Sequence, residues 1–113
     1  MKNAEVQKSK PLFMNEEVDY VSGSIVTKTV MKKLTGDICA IAFDSGKVLT
    51  GKISPFDKLV QVIDGSAEVV IDNKSNFLKV RESIIIPAHA SNSFKANSRF
   101  KIISTVIKSG YED

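Results

Sequence analysis

Tryptophan is absent from the 113-residue chain, and cysteine and histidine occur once each. A single cysteine excludes an internal disulfide framework and any zinc site built on several thiolates. A single histidine excludes most histidine-ligated metal centres. Arginine is nearly absent too: of 16 basic residues only Arg81 and Arg99 are not lysine. Base-specific nucleic-acid readers lean on arginine forks and aromatic platforms, and neither clusters here, so no nucleic-acid partner is expected. The one basic doublet, Lys32-Lys33, reads as a solvated strand face. No apolar run approaches the roughly 18 residues of a membrane span, which argues against a membrane partner. The first ten residues lack the apolar stretch of a secretory leader. Together with the free thiol of Cys39, that points to a reducing cytoplasm. No ten-residue segment holds a 3.6 period, so no long helix is expected.

What remains is a β-rich composition. Hydrophobic residues make up 42% and charged residues 26%, the balance of a globular domain. Valine and isoleucine occur 12 times each, and β-branched side chains favour strands. The length suits one domain with one core. Residues 1–23 are polar and aperiodic and read as an arm. Strands are predicted over 24–34, 37–44, 47–53, 58–63, 67–72, 76–80, 83–86, 93–96 and 100–108. A tail over 109–113 follows the barrel of 24–108. Asp64-Gly65 between two apolar runs predicts a tight hairpin, because both residues tolerate positive φ. Short strands at regular spacing mean an all-β sandwich or barrel. Residues 38–43 and 102–107 are apolar on both faces. A single-layer barrel buries only one face, so a homodimer sharing an outer face is expected.

One pattern of spacing is specific. Gly46 is followed by five residues, Lys52-Ile53-Ser54, three residues, Lys58, six residues and Gly65. Arg81 is followed by five residues, Pro87-Ala88-His89, two residues, Asn92, three residues and Ala96. These two stretches resemble the paired motifs of the cupin family. There the first reads Gly, five residues, His-x-His, three or four residues, Glu, six residues, Gly. The second reads Gly, five residues, Pro-x-Gly, two residues, His, three residues, Asn. Every gap fits, and Gly46, Gly65 and Pro87 keep their identity. The 15 residues between the motifs are similar to those of compact, single-domain bacterial cupins. The resemblance implies an antiparallel double-stranded β-helix, a jelly-roll barrel.

In metal-binding cupins two histidines and a glutamate of the first motif, with the histidine of the second, hold one cation. The matching positions here are Lys52, Ser54, Lys58 and Asn92. Lysine offers a cation no lone pair at neutral pH and repels it by about 1 kcal/mol at 4 Å even in water. No metal and no other cofactor is therefore expected, and no catalytic residue carries over.

Strand parity supplies a pocket without a metal. If Lys52, Ser54 and Lys58 point inward, so should Val48, Thr50, Val60 and Val62, and Asn92 brings Phe94 to the same side. The result is an apolar pocket with two cations, a hydroxyl and an amide at its mouth, suited to a small organic anion. The plainer alternative is that both lysines extend into water and cap a closed barrel. Asp57 and His89 fall at the rim, as candidate general base and proton shuttle, or as ordinary turn residues. Cys39 lies in an apolar strand and reads as an inert buried thiol. The leading function is a metal-free protein binding a small, anionic ligand in its barrel. The alternatives are a metal-independent isomerase or lyase, and a structural dimer with no ligand; the balance falls against catalysis.

Overall fold

The computed structural model describes residues 6–108. The segment 109–113, expected as a tail, and the first five residues of the expected arm lie outside the described residues. Among the described residues, a 3₁₀ turn at Met14–Glu16 is followed by nine strands. They are β1 Ile25–Lys33, β2 Gly36–Phe43, β3 Val48–Thr50, β4 Lys58–Gly65, β5 Ala67–Ile71, β6 Lys74–Leu78, β7 Ser83–Ile86, β8 Asn92–Lys95 and β9 Phe100–Ile107. Every pairing is antiparallel. The five-stranded sheet runs β1-β2-β9-β4-β7, and the four-stranded sheet β3-β8-β5-β6. This is the expected all-β jelly roll.

Alternation along the strands builds the core between the two sheets. Phe43, Val60, Val69, Phe100 and Ile102 have no exposure, and Val62 and Phe94 have 1% and 3%. The Phe43 and Phe100 rings stack with centroids 4.3 Å apart, and Phe94 tilts against Phe43 at 5.9 Å. These aromatics close the middle of the barrel.

Two expectations change at this level. Asp64-Gly65 does not make a hairpin. β4 pairs with β9 and β7, whereas β5 pairs with β6 and β8, so the chain changes sheets at this point. Gly65 adopts φ +71°, and a side chain there would collide with the Arg99 carbonyl. The positive φ serves a corner rather than a turn. The tight hairpin lies at Asp72-Asn73, both at positive φ, joining β5 to β6. Second, the strand expected over 47–53 shrinks to Val48–Thr50 with opposite parity. Leu49 packs on the core opposite Phe94, while Val48 is 57% exposed. The outward apolar face of β2 and β9 is met in part from within the chain. Val18, Ala40, Ala42 and Ile103 form a second buried cluster, with Met14 and Tyr20 packed on it. The arm lies across its own sheet, held by Tyr20 Oη donating to Asp64 at 2.5 Å and by Lys101 Nζ donating to the Asn15 carbonyl. Arg99 and Lys101 also lie over the Tyr20 ring, at 5.2 and 4.9 Å.

Candidate functional site

The segment between β3 and β4 carries Lys52, Ser54 and Asp57 but has no regular pairing, since Pro55 lacks the N–H that a ladder requires. Hydrogen bonds to the turn before β8 hold it instead. Gly51 N–H donates to the Asn92 carbonyl at 3.0 Å, His89 N–H to the Ser54 carbonyl at 2.7 Å, and Ala88 N–H to Asp57 Oδ1 at 2.8 Å. Within the segment, Ser54 Oγ accepts from Phe56 N–H at 3.0 Å.

This fixed segment forms one wall of a cavity of about 460 Å³. Leu49 and Thr50 from the end of β3 line it, with Gly51, Lys52, Ser54 and Phe56. Lys58 at the start of β4 and Val106 and Lys108 at the end of β9 complete it. Lys52 is exposed, Lys58 half-buried, and Lys108 sits 3.2 Å from Asp37. No carboxylate is among the lining residues, which include three lysines, and Lys108 is ion-paired with Asp37.

Lys52, Ser54 and Lys58 are thus brought together. Val60, Val62 and Phe94 lie in the closed core and are not among the residues lining this cavity. Asn92 is buried directly behind Gly51, where an added Cβ would collide with its side chain. Its Nδ2 donates to the Ala90 carbonyl at 3.4 Å, and its Oδ1 finds no hydrogen-bond partner. Asp57 and His89 are exposed and line no part of the cavity, and His89 holds φ +70° in its turn. Cys39 is half-buried, and its thiol is pushed up first by burial and then by Asp37, against a bond with Thr29. Lys108 and Phe56 were not anticipated. The inward parity of Phe100 and Ile102 continues through 104 and 106 to 108, which is the signal for Lys108.

No family model matches the chain, and no curated protein matches it. Solved structures do. A conserved protein of unknown function from Streptococcus pyogenes is 24% identical, with 94% of this chain and 92% of that one covered and a TM-score of 0.86. A cupin superfamily protein from Desulfitobacterium hafniense superposes with a TM-score of 0.84 over 93% of this chain and 95% of that one, at 17% identity. The fold is the cupin fold. A cupin 2 conserved barrel domain protein from Leptotrichia buccalis is 29% identical over 83% of this chain, with a TM-score of 0.80; only 46% of that longer chain is covered.

The residues at the cupin cation positions do not fit a divalent metal. Two are ammonium groups, one is a serine hydroxyl already accepting a backbone N–H, and the one free acceptor, Asn92 Oδ1, is a neutral amide oxygen. Among the described residues no three His, Cys, Asp or Glu side chains stand together.

Proposed function

We propose that this cupin barrel binds a small organic anion in the cavity beside β3, β4 and the end of β9. The observation that supports this most is the gathering of Lys52, Lys58 and Lys108 on one cavity without a carboxylate in its lining. Two like charges held near one another raise the free energy of the empty site, and an anion relieves it. Thr50 and Ser54 supply hydroxyls that orient the anionic group. Leu49, Phe56 and Val106 supply apolar surface for a carbon body, so a carboxylate or phosphate ester with an apolar part fits better than a bare inorganic ion. Asp57 already accepts the Ala88 N–H and neither it nor His89 lines the cavity, so no catalytic role is assigned to them.

The test is a thermal-shift screen of benzoate, succinate, citrate and sugar phosphates against chloride at equal ionic strength. A ligand at 100 times its Kd adds about 2.7 kcal/mol to the native state, a rise of several degrees in Tm. The Lys52→Met/Lys58→Met variant should fold and lose that rise. An anion that stabilises wild type and double variant equally would refute this site.

A further inference from the structure

The side chains around the cavity beside β3 and β4 are of one hydrogen-bonding kind. Leu49, Phe56 and Val106 give it apolar surface, and its polar side chains are hydroxyls and ammonium groups. No carboxylate, amide or imidazole stands among them, so a ligand meets donors and no dedicated side-chain acceptor. Ser54 Oγ already accepts the Phe56 N–H at 3.0 Å, which leaves its own hydrogen to donate elsewhere. Thr50, Lys52 and Ser54 come from one stretch of five residues, and Lys58 follows four residues later. The donors therefore gather on one wall.

The charges on that wall do not balance. Lys108 is paired with Asp37 at 3.2 Å, and Asp37 also stands beside Lys32 in the β1–β2 register. Asp57 and His89 are exposed and outside the lining, and Asp57 accepts the Ala88 N–H. Lys33 belongs to a separate depression near Met31. Lys52 and Lys58 have no carboxylate partner among the described residues. Lys58 is half-buried, and its charge acts on the Cys39 thiol two strands away, so it points into the barrel mouth. Two ammonium charges are left without compensation.

We infer that the ligand of this cavity carries two negative charges on one compact group that only accepts hydrogen bonds, a phosphate monoester, with its organic part on Leu49, Phe56 and Val106. The inference rests on the reading of the cavity as an anion site and narrows it. A monocarboxylate leaves one ammonium group unanswered, and its two oxygens lie in one plane with their carbon. A phosphate monoester is close to doubly charged above its second pKa of about 6 and offers three acceptor oxygens. Those three match Lys52, Lys58 and the hydroxyl of Ser54 or Thr50. A third negative charge gains less, because Lys108 is already paired with Asp37.

Phenyl phosphate and phenyl sulfate share a shape and differ by about one charge at pH 7.5. One added charge–ammonium pair at about 4 Å is worth about fivefold in affinity even at the dielectric of water. With two such pairs, amide chemical-shift titrations of the full chain should show phenyl phosphate binding at least tenfold tighter than phenyl sulfate at equal ionic strength. That ratio should fall about fivefold in Lys52→Gln, and likewise in Lys58→Gln. A general distortion weakens both ligands alike, so the ratio reports charge. Lys52 is exposed, and its substitution keeps the test available should Lys58→Gln not fold. Equal affinities in wild type, or an undiminished ratio in either folded variant, would overturn the doubly charged ligand and leave the anion site standing. Binding of neither compound would remove both.

Discussion

Asp44 joins two distant turns by itself. It accepts the Gly23 N–H at 2.6 Å and Arg99 Nε at 2.8 Å, so the entry to β1 and the entry to β9 meet on one carboxylate. The Gly23 N–H, then the Arg99 side chain, then the Ser45 N–H hold its carboxyl down at about 2, below its usual value of 3.8. A group depressed in the folded state contributes stability that is complete above the unfolded pKa and lost as pH falls through the folded one. Thermal melts of wild type should therefore fall between about pH 4 and pH 2, and Asp44→Asn should fall less over that window. Equal slopes for the two proteins would show that the carboxylate has no such role. Gly51 makes a second prediction. A methyl group there collides with the buried Asn92 side chain, so Gly51→Ala should cost about 1–3 kcal/mol in urea unfolding. Gly51→Ala/Asn92→Ala should recover most of it, since the truncation also removes an acceptor without a partner. Additive losses would mean the clash is not the cause. This contact was hidden in the sequence. Motif spacing identified Asn92 as a special position, but no one-dimensional pattern reports that a glycine 41 residues away lies against it.

At the level of elements, the strands were readable where alternation or a dense apolar run was long enough, and β7 was placed to the residue. The errors share one cause. Local chemistry at Asp64-Gly65 announces positive φ, but it does not say whether the strands on either side stay paired or part to different sheets. That is decided by Arg99 and Phe100, which press against Gly65 from the far end of the chain. The two-faced apolar strands were likewise correctly seen as needing cover, and the arm supplies part of it. That the arm lies against a sheet was expected from the sequence; among its described residues Val18, 4% exposed, is buried, with Met14 and Tyr20 half-buried beside it. Val18→Ala should cost about 2 kcal/mol. Because the arm is tied at few points, the loss should appear locally. Amide exchange at residues 14–20 should quicken well before the strands open. Uniform acceleration across β2, β9 and the arm would instead make the arm an integral part of the global folding unit.

For the whole molecule, the order of strands in space differs sharply from their order in the chain. β9 occupies the centre of the larger sheet between β2 and β4, so residues 36–43 pair with residues 100–107, and β3 pairs with β8. The same arrangement builds the cavity, since Lys108 and Lys58 line it together because β9 lies beside β4. Half of that site could be read from motif spacing because the first motif is local. The other half depends on this long-range closure, which spacing does not encode. Closing such loops costs chain entropy before any contact repays it. Refolding should accordingly take milliseconds to seconds rather than microseconds. The stacked pair Phe43 and Phe100 ties the two ends of that closure together at 4.3 Å. If docking β9 on β2 is the barrier, Phe100→Leu should slow refolding by most of the stability it removes, with a φ value of about 0.5 or more. Stopped-flow chevrons of wild type and Phe100→Leu decide it. An unchanged refolding limb, with the whole loss in the unfolding rate, would place the barrier before β9 joins the sheet and give the nucleus to the local β5–β6 hairpin.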